Sequence, residues 1–418
     1  METFEQFLVR VLQIVFWVLI IVPMFAFPIL ALLVPGGFTI AGYQVKNVWG
    51  FLTDPLAALE LQNALFGCVL NPIVAAFREP VCIGGPESSP ELIPGLGVTF
   101  LDFFKISFFP GFTFAAIIAT VMILVERKFL AKINLRIGPL YAGRFEGILQ
   151  PIADLFKLLF KEIIIPRRAD KLMFIAAPLL TFAVAAGILS VIPVSPSWVI
   201  ARSEVGLLIA FAVIGFFPLL VLVAAWASSN KFSLVGGLRA LHQLISFEIP
   251  LVLSVIGVVI LTQSMDLVRI VEAQSTIWFI GPQLIGAVVF YIAMLAELER
   301  IPFDMPEADS EIVMGWLTEY SGMLFGLPMI AIYIKFYAFS ALFSTLFLGG
   351  WLGPPGVPPE VWFILKTLIV MLSAMLVRGA NPRIRIDMLI RLGWAWLILL
   401  AFANIFIAVI LAQAGVLS

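Results

Sequence analysis

Histidine and cysteine are nearly missing from this chain. Of 418 residues one is histidine, His242, and two are cysteines, Cys68 and Cys82. A cubane or two-iron cluster needs about four thiolates. A bis-histidine haem needs two imidazoles and a three-histidine zinc site three. None of these can be assembled from one histidine and two thiols, so no metal site and no cofactor held by this chain alone are expected. Charge is scarce too, at 12% of residues with a net of -1, where globular chains carry about 25%. That excludes a basic field for nucleic acid and leaves too few polar groups to coat a water-soluble surface. What is plentiful is apolar: 62% hydrophobic residues with 38 Phe, at a mean hydropathy of +1.11. The chain reads as an all-α integral membrane protein. Any redox work it joins must use electrons carried on a neighbour's cofactor.

Apolar runs near the length of about 20 residues that crosses a hydrocarbon core occur at 7–34, 106–125, 173–194, 205–227, 245–263, 277–297, 323–347, 360–378 and 393–414, giving about nine transmembrane helices. Basic residues orient them, because Lys and Arg stay on the cytoplasmic side. Ten lie in 126–172: Arg127, Lys128, Lys132, Arg136, Arg144, Lys157, Lys161, Arg167, Arg168 and Lys171. Lys231, Arg239, Arg300, Arg378, Arg383, Arg385 and Arg391 fall on the same side. This predicts a cytoplasmic N-terminus and an extracytoplasmic C-terminus. Residues 35–105 read as a long outer segment holding both cysteines, with a moderately apolar stretch at 56–77 that could lie on the membrane surface; a disulfide and two separate thiols both remain open. In the inner loop Ile148, Ile152, Leu155, Phe156 and Leu159 recur at three and four spacing opposite Asp154, Lys157 and Lys161, the pattern of an amphipathic helix. No strong internal repeat is visible, which weighs against an inverted-repeat transporter.

The densest chemistry is at 297–319, ELERIPFDMPEADSEIVMGWLTE, where seven carboxylates face one basic residue, Arg300. A solvated acidic loop is the plain explanation. Against it, the acids alternate with Ile301, Phe303, Met305, Ile312, Val313, Met314 and Trp316. If the part after Pro306 is helical, Glu307, Glu311 and Glu319 share a face. Crowded carboxylates at low dielectric raise one another's pKa values, so some can hold protons near neutral pH and release them when a nearby charge changes. Glu248 opens an apolar span, and Lys335 lies within another beside Tyr333; ionisable groups there call for a partner or a function. His242 is either a proton shuttle or a local hydrogen-bonding group.

These blocks carry a resemblance. VERKFLAKINLRIGPLYAGRFEGILQPIADLFKLLFKE (125–162), SSNKFSLVGGLRALHQLISFE (228–248), AELERIPFDMPEADSEIVMGWLTEYSG (296–322), FLGGW (347–351) and RGANPRIRIDMLIRLGW (378–394) are similar, in order and spacing, to the H subunit of respiratory complex I (NADH-quinone oxidoreductase). The resemblance covers about 106–414. It implies an eight-helix core in 106–418, preceded in 1–105 by one extra helix and the outer segment, in an energy-transducing membrane (cell inner or plasma membrane). It implies a proton-pumping quinone oxidoreductase subunit that is not catalytic alone and holds no catalytic residue of its own. Quinone would be the substrate, with iron–sulfur clusters, and flavin as a further candidate, in partner subunits. The implied partners are the hydrophilic quinone-site and iron–sulfur subunits of the peripheral arm, small membrane subunits, antiporter-like subunits and the lipid bilayer.

By matching positions the resemblance implies a quinone chamber at Glu126, Arg127, Asp154, Lys157, Arg383, Arg385 and Asp387. It implies proton-coupling acids at Glu248, Glu297, Glu307, Asp309, Glu311 and Glu319. Departures from the family pattern are Ala131, Asn134, Leu140, Glu299, Ala395, and Ile332 where Glu is frequent, with Lys335 following. The nearest alternative is the membrane anchor of a related hydrogenase, sulfur reductase or deazaflavin dehydrogenase, with FLGGW and PRIRID favouring the quinone branch. An independent ion transporter is a more distant one.

Overall fold

The computed structural model describes residues 105–414, apart from 108, 144–146, 307–308 and 355 and the side chains at 309 and 310, together with the backbone of four short strands earlier in the chain. The expected span 7–34, the stretch 56–77, Cys68, Cys82 and Glu307 lie outside the described residues, as does the Asp309 side chain. The chain divides into two units, Met1–Thr113 and Phe114–Ser418. In the first, β1 (Phe38–Ile40) pairs antiparallel with β2 (Tyr43–Val45), and β3 (Glu91–Ile93) with β4 (Val98–Thr99).

Among its described residues the second unit is all-α. Its helices are α1 (Phe112–Ile133), α2 (Gln150–Phe160), α3 (Lys171–Ile188), α4 (Gly206–Ala227), α5 (Lys231–Thr262), α6 (Leu267–Glu272), α7 (Leu284–Glu297), α8 (Asp309–Ile312), α9 (Met323–Phe347), α10 (Pro359–Ala380), α11 (Ile386–Arg391) and α12 (Ile398–Gln413). A π-helical turn, Leu392–Leu397, joins the last two. Among the described residues seven helical segments are long and apolar enough to cross a membrane, and α7 is a shorter apolar helix. The protein is a multi-pass membrane protein.

Burial locates the centre. In α9, 89% of the most apolar stretch is buried, against 22% for Ile386–Gln413. α3 packs on α4 and α9, α5 on α4, α7 and α12, and α10 on α9. With a rise of 1.5 Å per residue, the 32 residues of α5 run about 48 Å, longer than a hydrocarbon core of about 30 Å. Asn230 starts that helix by accepting the Phe232 N–H at 2.9 Å, and Gln263, in the left-handed region at φ 50°, ends it. At the far end of α9, the buried Lys366 of α10 donates to the Leu348 and Leu352 carbonyls, both at 2.6 Å, beneath the Trp278 ring at 4.3 Å. A cation at the carboxyl end of a helix satisfies carbonyls that the helix leaves unpaired.

Two expectations need correction. The run 277–297 is helical only from Leu284 to Glu297, because Gly281 and Pro282 break it and the preceding residues form turns. The acidic segment is likewise no continuous helix. α8 spans four residues, then Val313 turns into the left-handed region at φ 64° and Gly315 follows at φ 56°. Glu311 and Glu319 therefore do not share one helical face.

Candidate functional site

Among the described residues of the acidic segment, the apolar ones fold against the bundle. Phe303, Met305, Ile312, Trp316 and Leu317 are buried, and Phe303 meets Phe247 of α5 edge-on at 5.5 Å. Gln243 of α5 donates to the Ala296 and Phe303 carbonyls, both at 2.7 Å, and Ser233 donates to the Trp316 carbonyl at 3.2 Å. Gly236 of α5 makes the closest approach possible, since a Cβ there would come within 2.6 Å of the Gly315 Cα. Tyr320 stacks on Phe174 of α3 at 4.2 Å. Its hydroxyl pKa is pushed up by burial.

On this platform Glu311 accepts a 2.5 Å hydrogen bond from Arg239 Nη1 of α5. Its other oxygen lies 3.7 Å from Arg383 Nη1, in the segment between α10 and α11. The Arg239 hydrogen bond, then the Arg383 charge, hold the Glu311 carboxyl below the usual carboxylate range. Glu319 accepts from Asn230 Nδ2 at 2.5 Å. Nearby in sequence, Arg385 Nε sits 3.3 Å from Asp387 Oδ1, both largely exposed.

Glu126 and Arg127 are consecutive on α1 yet face different surroundings. Glu126 is buried, and one carboxylate oxygen takes hydrogen bonds from both Arg300, just past α7, and Arg378 of α10. The Arg300 guanidinium stacks over Tyr333 at 4.5 Å and Phe336 at 5.5 Å, both on α9. Burial alone would lower the Arg300 pKa, but Glu126 beside it turns the balance upward, so the guanidinium stays charged. Arg127, by contrast, is exposed and pairs with Asp154 of α2 at 2.5 Å, which also accepts from Gln150 at 3.0 Å. Lys157 is exposed on the same helix, as are Ile152 and Phe156 of the anticipated apolar side, and Ile148 is exposed in the turn just before it. Leu159 is buried and Leu155 half-buried.

Deeper in the bundle, Lys335 of α9 and Glu297 of α7 form an ion pair at 3.2 Å, each about 1% exposed. Glu248 of α5 is half-buried, and its carboxylate fills the space left by Gly215 of α4, where a Cβ would stand 2.6 Å from Oε1. His242 is exposed, with Nδ1 2.7 Å from the Leu238 carbonyl of its own helix, a local contact. The structure thus joins Glu311 to Arg383, Arg127 to Asp154 and Arg385 to Asp387, and places Glu126 and Glu297 in separate clusters, the first with two arginines and the second with one lysine.

Sequence reasoning did not assign Arg239, Arg300, Arg378 or Asn230 to the site. The one available signal was Arg300, the lone basic residue among seven acids.

A family model described as NADH dehydrogenase matches residues 107–409. The chain is similar to the NADH-quinone oxidoreductase H subunit of Bacillus mycoides (strain KBAB4), at 47% identity over 299 residues that cover 70% of this chain and 89% of that relative. The same identity and coverage hold for the proteins of that description from Bacillus thuringiensis (strain Al Hakam) and Bacillus cereus (strain AH187).

Proposed function

Because this chain belongs to the NADH dehydrogenase family as the H subunit of a complex I, we propose that it is the membrane-arm component at which quinone reduction is converted into proton movement. Residues 106–418 are the family's membrane domain in this reading, and 1–105 are an addition to it. The N-terminus lies in the cytoplasm and the C-terminus outside. The chain is part of an oxidoreductase and does no redox chemistry alone. Electrons arrive on iron–sulfur clusters of the peripheral arm, whose hydrophilic quinone-site subunit closes the chamber, and small and antiporter-like membrane subunits receive the output.

The chamber wall is drawn from Glu126, Arg127, Asp154, Lys157, Arg383, Arg385 and Asp387, and the coupling acids are Glu248, Glu297, Glu307, Asp309, Glu311 and Glu319. The observation that carries the reading is the contact between the two sets: Arg383 of the chamber set lies 3.7 Å from Glu311 of the acidic set. Reducing quinone to quinol takes two electrons and two protons, and charge that builds on the quinone oxygens draws nearby guanidinium groups. An arginine drawn off Glu311 removes one cause of that carboxyl's depressed pKa, so the group gains affinity for a proton. A charge change in the chamber is thereby felt by the acid loop without any covalent chemistry.

The test uses the complex purified with this chain and sealed into vesicles, with quinone reduction and interior acidification followed together. Wild type should do both. Glu311→Gln should lower both while the complex still assembles. A complex that reduces quinone at the wild-type rate and moves protons at the wild-type ratio with Gln at 311 would overturn the coupling role.

A further inference from the structure

Lys335 plays no part in the reading above, yet it is among the largest fully buried side chains of the protein. Its ammonium donates to Glu297 Oε2 at 3.2 Å and to the Glu297 main-chain carbonyl at 2.8 Å. It also lies 4.0 Å from the centre of the Phe217 ring and 5.6 Å from that of Phe339, an arrangement that favours a cation. The Glu248 carboxylate stands against Gly215 of α4, two residues from the Phe217 whose ring the Lys335 ammonium faces. Three ionisable groups from three helices, α5, α7 and α9, therefore gather on one stretch of α4.

Their charges do not balance when all are ionised. Two carboxylates and one ammonium leave one negative charge without a counter-ion, which is costly where Lys335 and Glu297 are buried and Glu248 half-buried. One added proton restores neutrality, and two interacting carboxylates can hold that proton on either member. The flexible four-carbon lysine stem lets the ammonium follow the ionised one.

We propose that Lys335 is the positioning cation of a two-carboxylate relay, neutralising whichever of Glu297 and Glu248 is ionised so that the pair exchanges a single proton. The proposal rests on the reading of these two glutamates as coupling acids. In the exchange the O–H bond of protonated Glu248 breaks and an O–H bond forms on the Glu297 carboxylate, with water as the carrier between them. The ammonium keeps its protons and its contact shifts from Glu297 to Glu248. No electron moves.

The full complex in vesicles tests this through protons translocated per electron, measured on whatever turnover remains. Lys335→Met should lower the ratio and the yield of assembled complex. Adding Glu297→Gln removes both charges of the pair; assembly should recover while the ratio stays low. Lys335→Arg keeps a cation and should restore the ratio. A double variant pumping at the wild-type ratio would make the pair merely structural, and an Arg variant as defective as Met would remove the role of the cation. If no Lys335 variant assembles, Glu248→Gln, which leaves the Lys335–Glu297 contact in place, decides: a lowered ratio supports the relay and a wild-type ratio overturns it. Should the unaltered complex reduce quinone without moving protons, the coupling function itself fails, independently of Lys335.

Discussion

Arg383 holds Glu311 from one side at 3.7 Å while another nitrogen of the same guanidinium rests 3.6 Å from the Met305 sulfur. A soft, polarisable sulfur is a weak acceptor, so this arginine is only lightly tethered on that side. Arg239, at 2.5 Å, is the stronger anchor of the same carboxylate.

That geometry sets a pH dependence. The folded Glu311 pKa is depressed, so its pairing stabilises the acid loop above the ordinary carboxylate pKa and fades as pH falls through the lower folded value. Because Glu311 is half exposed, the pairing is worth no more than about 1 kcal/mol. Arg239→Met should move the loss of the tether to higher pH. Hydrogen exchange of the amides of Glu311 to Gly315 between pH 3 and 6 measures it, and identical profiles in both proteins would refute the pairing.

The turn at Val313 carries strain that a sequence pattern does not announce. A β-branched residue in the left-handed region costs on the order of 1–3 kcal/mol. Val313→Gly accepts that conformation freely and its side chain is exposed, so about 1 kcal/mol of stability should be gained in thermal melts of the purified complex. A drop in melting temperature would show that the valine side chain contributes more than its backbone costs.

Gly236 makes the opposite case. A Cβ there would meet the Gly315 backbone at 2.6 Å, and backbone cannot step aside as a side chain can. Gly236→Ala should cost about 1–3 kcal/mol by overpacking and lift the acid loop from α5. Faster proteolysis within 305–320 reads it out, and wild-type protease resistance would contradict the close approach.

How much of this was legible follows from the range of each interaction. The helix at Met323–Phe347 coincides with the apolar run that announces it, because burial of most of α9 leaves no polar side to blur its ends. The helix of 150–160 shows its three-and-four spacing locally. The shortening of α7 was readable in Gly281 and Pro282, but the apolar count outweighed them. Arg300 and Arg378 meet Glu126 across 174 and 252 residues of chain, and no local pattern carries such pairing. The lysine inside α9 signalled a need for a partner, while its choice of Glu297 is set by how α7 and α9 pack.

The consecutive pair Glu126 and Arg127 gives the sharpest energetic contrast. Glu126 compensates two guanidinium groups, one of them buried with it. Glu126→Gln leaves that positive charge without a counter-ion, and breaking a buried pair from one side costs about 3–5 kcal/mol. Arg127→Gln breaks only a half-exposed contact with Asp154, worth about 0.2–1 kcal/mol in water-facing pairs, and Gln150 still donates to that carboxylate. The yield and melting temperature of assembled complex should therefore fall steeply for the first substitution and scarcely for the second, although the positions adjoin. Adding Arg378→Leu to Glu126→Gln removes one of the stranded charges and should recover part of the loss. Equal effects at 126 and 127, or no recovery in the double variant, would mean that the cluster around Glu126 is not the buried charge centre described above.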